Sequence, residues 1–245
     1  MDERPFSRLT TGRPADSRPA DRRPPAGHPV AAPPIARRLP GLLLGLVAFG
    51  LGIALMVQAD LGLGPWEVLH QGLARWSGLE IGTVSILLGL PILLLWWPLG
   101  ERPGIGTLLN VVIIGAATNV GIGLVPIQHE LPGQALMMVA GVVVIGIGSG
   151  LYLGADLGPG PRDGLMTGLH HRFGWSIRRA RTAIELSALG LGFLFGGTVG
   201  LGTVVFAFGI GPIVGWALPI FDQTGRVVRR RDLRILEESP GTLGE

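Results

Sequence analysis

Ala59-Asp60-Leu61-Gly62-Leu63-Gly64-Pro65 returns 96 residues later as Ala155-Asp156-Leu157-Gly158-Pro159-Gly160-Pro161. At the same shift Leu69 meets Leu165, Gly72 meets Gly168, Leu73 meets Leu169, Gly78 meets Gly174 and Ile81 meets Ile177. Gly106-Thr107 then meets Gly202-Thr203, and Gly115 meets Gly211. Backwards, Gly45, Gly50 and Gly52 meet Gly141, Gly146 and Gly148, with no insertion anywhere in the register. Glycine-rich helices match by chance; a seven-residue loop at constant spacing does not. The chain uses one unit twice.

Six apolar stretches surround the two loops, at about 40–58, 81–99, 104–126, 133–154, 180–197 and 200–220. A helix needs ~20 apolar residues to cross ~30 Å of hydrocarbon, and in lipid only internally hydrogen-bonded segments survive. The expectation is an all-α polytopic membrane protein with six transmembrane helices. Composition agrees: charged residues are 15% of the 245, against roughly 25% in soluble domains. The 41 glycines are explained by small-xxx-small ridges such as Gly146, Gly150 and Gly154, or Gly192 and Gly196, or Gly211 and Gly215. Each unit, 39–126 and 133–220, holds three spans. Three is odd, so the second unit enters from the opposite face, giving an inverted repeat of the kind that builds many secondary transporters.

Arginine sets the orientation. All 20 basic residues are Arg. Counting from the N-terminus, alternate non-membrane segments (1–39, 100–103, 155–181, 221–245) hold 8, 1, 5 and 5, and those between hold one in all. Positive residues stay inside, so both termini are expected in the cytoplasm of a bacterial inner-membrane protein. Residues 1–38, with eight Arg and eight Pro, read as a disordered cytoplasmic tail or a basic arm for anionic headgroups. Arg37-Arg38 before an apolar run also suits a secretory signal, but a removable signal has no reason to be duplicated at residue 133. Residues 221–245 form the C-terminal cytoplasmic tail.

Gly64-Pro65 and Gly160-Pro161 read as helix starts, with Gly at the N-cap and Pro where its missing N–H costs nothing. An acid follows two residues later, Glu67 and Asp163, complementing the helix dipole. Trp66, Leu69, Leu73 and Trp76 share one face, with Glu67, His70, Gln71 and Arg75 elsewhere; Leu165, Met166, Leu169 and Phe173 form the second apolar face. One reading is an interfacial helix anchored by Trp66, Trp76 and Trp175. The other is a re-entrant half-helix, two of which aim their N-termini at a common site, with Asp60 and Asp156 at its mouths. Candidate substrate-binding residues are therefore Asp60, Gly64, Pro65, Glu67, Asp156, Gly160, Pro161 and Asp163. Glu185 is an acid within a span and a functional candidate by default, or a partner of Arg181 one turn away. Asn110 and Asn119 read as helix–helix glue.

Other chemistries fall away. There is no cysteine and no phosphate-binding Gly-rich loop ending in Lys. No His lies in a span to serve Ser149 as a base, and adjacent His170 and His171 point apart on a helix, so no metal site is expected. Neither an enzyme nor a cofactor is expected, and with the arginines spread over tails and loops, nucleic acid is not a partner.

Ala59-Asp60-Leu61-Gly62-Leu63-Gly64-Pro65-Trp66-Glu67-Val68-Leu69-His70, Gly104 to Asn110 and Ala155 to Gly164 resemble the YczE/YyaS/YitT family of bacterial integral membrane proteins. The resemblance covers roughly 40–220; the second copy departs from Pro-Trp-Glu by carrying Pro-Arg-Asp. It implies an inner-membrane protein and carries no activity with it. Two functions stay open. One is a small secondary transporter or channel-like protein whose site, for an unknown small molecule or ion, lies between the repeats. The other is a membrane-embedded scaffold, binding another membrane protein or a further copy through its Arg-rich loop 162–181 and the tail Arg226–Arg234.

Overall fold

The computed structural model describes residues 32–231. They form eight helices and, among the described residues, no strand: α1 (Ile35–Ala59), α2 (Pro65–Ser77), α3 (Ile81–Leu99), α4 (Ile105–Leu124), α5 (Leu131–Gly154), α6 (Pro161–Phe173), α7 (Ile177–Leu194) and α8 (Leu201–Phe221). Five are long and apolar enough to cross a membrane: α1, α3, α4, α5 and α8. The expected span at 180–197 does not join them. Its helix α7 opens with Arg178, Arg179 and Arg181 and carries Glu185, so too little of its length is continuously apolar.

α1 and α5 cross at the centre. The crossing uses glycines that share repeat positions: an added Cβ on Gly52 would lie 2.9 Å from the Gly141 carbonyl oxygen, and one on Gly148 2.7 Å from that of Gly45. Close backbone approach of this kind replaces hydrophobic drive in lipid. Leu42, Leu46, Phe49, Ile53, Met138, Val142 and Ile145 fill the core around it. α4 packs on α1 and α8 on α5; α2 packs on α7 and α6 on α3. Exchanging α1–α4 for α5–α8 maps each of these pairings onto another. One pairing breaks the rule. α3 packs closely on α4, whereas α7 and α8 make no comparable contact.

The two loops share one conformation. Asp60 and Asp156 sit at φ 50° and 52°, and Gly62 and Gly158 at φ 111° and 128°. Asp tolerates the left-handed region because its short side chain bonds locally; at φ above 100° only Gly is unstrained. Each loop docks on the last helix of the other unit. Gly106 N–H donates to Leu157 O at 2.8 Å, and Gly202 N–H to Leu61 O at 2.7 Å. Thr107 Oγ1 donates to Pro159 O at 2.8 Å.

The sequence expectations need two adjustments. α1 begins at Ile35, so Arg37 and Arg38 are helical rather than part of a tail to residue 38. Arg38 Nη1 donates to Ala155 O at 3.1 Å and Asp156 O at 3.0 Å, satisfying carbonyls left over at the end of α5. At the other end, Asp222 Oδ2 accepts from Val227 N and Val228 N at 3.1 and 3.0 Å, capping a helical stretch over 226–231. The tails at 1–31 and 232–245 lie outside the described residues.

Candidate functional site

α2 enters the bundle rather than lying on it. Glu67 is 3% and Gln71 6% exposed, as buried as Trp66 at 8%. The expected polar face is thus turned inward, because α2 is covered by α7 on one side and α3 on another. Gln71 Oε1 accepts from Thr198 N at 2.6 Å, and Arg75 donates to Gly196 O and to Thr198 Oγ1. These polar groups hold the α7–α8 turn. Of the three tryptophans expected at the interface, Trp76 and Trp175 are exposed and Trp66 is not.

The first turns of α2 and α6 meet. Arg162 of α6 lies 3.9 Å from Glu67 Oε1 of α2, and its guanidinium stands 5.4 Å from the centroid of the Phe49 ring, a cation–π distance. Beside them is a cavity of about 70 Å³, lined by Trp66, Glu67, His70, Ser85, Asn110, Pro161 and Arg162 with Phe49, Ile53 and Ile114. Glu67 Oε2 and Trp66 Nε1 are buried without a hydrogen-bond partner. Each such atom costs about 1–3 kcal/mol, and an orphan of this kind in a native fold calls for a reason.

A second cavity, about 300 Å³, lies between α5, α6, α7 and α8. Tyr152 OH donates to Asp163 Oδ2 at 3.3 Å, and Arg181 Nε donates to Glu185 Oε1 at 3.0 Å. The linings of the two cavities correspond through the repeat: Ile53 to Ser149, Trp66 to Arg162, Glu67 to Asp163, His70 to Met166, Ser85 to Arg181, Gly89 to Glu185, Asn110 to Phe206 and Ile114 to Ile210. One architecture thus encloses two different chemistries, and Arg162 borders both.

The expected site residues divide. Glu67 and Pro161 line the first cavity and Asp163 and Glu185 the second. Gly64 and Gly160 make room at the two helix starts: an added Cβ would lie 2.5 Å from Glu67 Oε2 at Gly64 and 3.2 Å from Asp163 Oδ2 at Gly160. Pro65 opens α2 and lines neither cavity. Asp60 is exposed and stands apart. Asp156 pairs with Arg230 and accepts from Thr224 Oγ1 at 3.3 Å, so it clamps the segment after α8. Asn119 is the glue expected of it: Oδ1 accepts from Gly82 N at 2.7 Å and Nδ2 donates to Glu80 Oε2 at 2.6 Å. Asn110 instead lines the first cavity. The sequence reading missed Arg162, Tyr152, His70 and Ser85. The signal for Arg162 was the departure of Pro-Arg-Asp from Pro-Trp-Glu, since a motif that changes chemistry between copies marks where the copies diverge.

Residues 36–219 match a family described as "Family of unknown function (DUF6198)". An uncharacterized protein of Haemophilus influenzae is 42% identical over 179 residues, 73% of this chain and 82% of that protein. The uncharacterized membrane protein YczE of Bacillus subtilis is 35% identical over 178 residues, 71% of this chain and 82% of that protein. The uncharacterized protein YyaS of the same organism is 26% identical over 184 residues, 74% and 92% of the two chains. The resemblance read from the loop motifs to YczE and YyaS is borne out. No solved structure matches.

Proposed function

For a chain that belongs to the DUF6198 family, we propose the function of a secondary transporter that works between two inverted three-span repeats, with α7 as the sixth span. The carrying observation is the meeting of α2 and α6: half-helices from different units bring Glu67 and Arg162 to 3.9 Å inside the bundle. Discontinuous helices whose N-termini converge are how inverted-repeat transporters form a midplane site. The matched but unequal cavities support this reading further, since alternating access needs two related arrangements around one fixed site. The arginine distribution supports an orientation with both termini on the cytoplasmic side of a bacterial inner membrane. α7 then enters with Arg178 and Arg179 at the cytoplasmic surface, where long cationic side chains snorkel.

The chain has no cysteine, which makes the test direct. Ser85→Cys and Ser149→Cys place near-isosteric thiols in the first and second cavities. Impermeant thiol reagents are applied to right-side-out and inverted vesicles. The expected result is labelling from opposite faces, with one site gaining as the other loses when a transmembrane ion gradient is imposed. Constant labelling of both sites from a single face overturns the reading. So does unchanged flux, over a broad solute panel in proteoliposomes, when Glu67→Gln replaces the native protein.

A further inference from the structure

The two cavities differ in whether their polar side chains are already engaged. Around the second, Ser149 Oγ donates to Ile145 O at 2.8 Å, Tyr152 OH to Asp163 Oδ2 at 3.3 Å and Arg181 Nε to Glu185 Oε1 at 3.0 Å. Around the first, Glu67 Oε2 and Trp66 Nε1 are buried without a partner. His70, Ser85 and Asn110 also line it, and among the described residues none of these three side chains forms a hydrogen bond. A native interior pairs nearly all its buried polar atoms. Five unengaged side chains around one cavity therefore point to a ligand that supplies the partners. The set is mixed in sense: a carboxylate oxygen only accepts, an indole N–H only donates, and hydroxyl, amide and imidazole groups do both. Whatever answers Glu67 and Trp66 together carries a donor and an acceptor. The wall also limits its charge. Glu67 and Arg162 lie 3.9 Å apart and their charges balance, so a further charge between them is buried without a counter-ion, which is costly.

Resting on the transporter reading above, we propose that the first cavity is the substrate site and that the substrate is a small uncharged amide, of the carboxamide or urea class. Its N–H groups answer Glu67 Oε2, and its carbonyl oxygen accepts from Trp66 Nε1. His70, Ser85 and Asn110 supply the remaining contacts. A planar amide holds donor and acceptor side by side and loses little internal freedom on binding. Size agrees: the cavity is about 70 Å³, and at about 10–15 Å³ for each water-sized group it holds roughly five non-hydrogen atoms. The second cavity does not repeat the site. Arg162 and Asp163 stand there in place of Trp66 and Glu67, and Asp163 already accepts from Tyr152.

The test uses the full chain in phosphatidylcholine nanodiscs at pH 8, with Ser85→Cys as the reporter and acetamide as the probe. Acetamide is expected to slow thiol labelling saturably, by about tenfold at about ten times its half-protecting concentration. Labelling of Ser77→Cys, exposed at the end of α2, stays unchanged. Acetate, acetamidinium, acetone and 2-propanol match acetamide in size but differ in charge or in hydrogen bonding. Each is expected to need a concentration higher by about tenfold or more, the cost of an unpaired charge or an unmade hydrogen bond. Two further variants carry the Ser85→Cys reporter. Trp66→Phe removes the donor, and half-protecting acetamide is expected to rise about tenfold. Glu67→Gln leaves Arg162 without its counter-charge, so the preference is expected to invert, with acetate protecting at lower concentration than acetamide. Helix content by circular dichroism confirms that both variants fold. Equal protection by acetate or acetamidinium makes the site ionic, and equal protection by acetone or 2-propanol makes it a filled void; either overturns the proposal. So does an unchanged order of preference in Glu67→Gln. Absence of protection while Ser85→Cys and Ser149→Cys still alternate overturns the substrate assignment and leaves the transporter standing. Protection without alternation keeps the amide site and overturns the transporter.

Discussion

The contact of Trp96 with Gly164 allows a sharp test of how the two units are fitted together. Trp96 of α3 is 1% exposed, and its Nε1 donates to Pro161 O at 2.9 Å. A Cβ on Gly164 would overlap Cζ2 of that ring. The ring has no free direction in which to swing, so Gly164→Ala falls at the upper end of overpacking costs, about 3 kcal/mol. The gain of Ala over Gly within a helix offsets about 1 kcal/mol, leaving about 2. Trp96→Phe removes a hydrogen bond worth about 1 kcal/mol and leaves a partial void worth about 1 more. Independent effects sum to about 4 kcal/mol. We expect about 2 for the double variant, because the smaller ring vacates the space that the methyl group enters. The assay is unfolding in mixed micelles by titration with dodecyl sulfate, followed by circular dichroism. A double variant within about 0.5 kcal/mol of the sum refutes the contact. The repeat inverts this fit elsewhere, since Gly192 stands where Trp96 would and packs on Val68 and Leu69.

Three further outcomes follow from named contacts. On the proposed transport function, Gly64→Ala is expected to lower flux more than Gly160→Ala, since its methyl meets Glu67 Oε2 at 2.5 Å and Phe206 at 2.8 Å whereas the nearest atom at Gly160 is 3.2 Å away; equal flux in proteoliposomes contradicts this. Thr107→Val strands the Pro159 carbonyl and is expected to destabilise by about 1–3 kcal/mol, read in the same micellar titration; a change below 0.5 kcal/mol, near the resolution of such comparisons, counts against it. Asp156→Asn releases Arg230 and weakens the clamp on 222–231, so limited proteolysis should cut there faster than in native protein, while Asp60→Asn, at the exposed counterpart, leaves the rate unchanged.

Much of the fold was written in the sequence, and the reasons it was are physical. Helix starts at Pro65 and Pro161 were legible because Gly and Pro restrict the backbone locally. The shared loop conformation was legible because Asp60 and Asp156, with Gly62 and Gly158, are among the few residues at ease at positive φ. The status of α7 was harder to read, since its apolar second half extends a run that its arginines interrupt. The burial of Glu67 and Gln71 was not legible. Helical periodicity sorts residues by polarity around one axis, and these two face inward because α6 offers Arg162 and the α7–α8 turn offers Thr198, both far along the chain. Arg162 itself was hidden by the repeat: alignment of the copies draws the eye to what is kept, and here the chemistry lies in what changed.

The reciprocal docking of the two loops bears on how the chain is made. The loop that ends α1 finds its backbone partner at Gly202, in α8, in the second half of the chain. The first unit therefore emerges with the buried acid of α2 unanswered until Arg162 of α6 is made, and with its Leu61 carbonyl unanswered until Gly202 of α8 is made. At roughly 5–20 residues per second the longer of these intervals lasts many seconds. Truncation before α8 removes the docking partner of the first loop and the cover of α5, so the first unit is not a self-contained module.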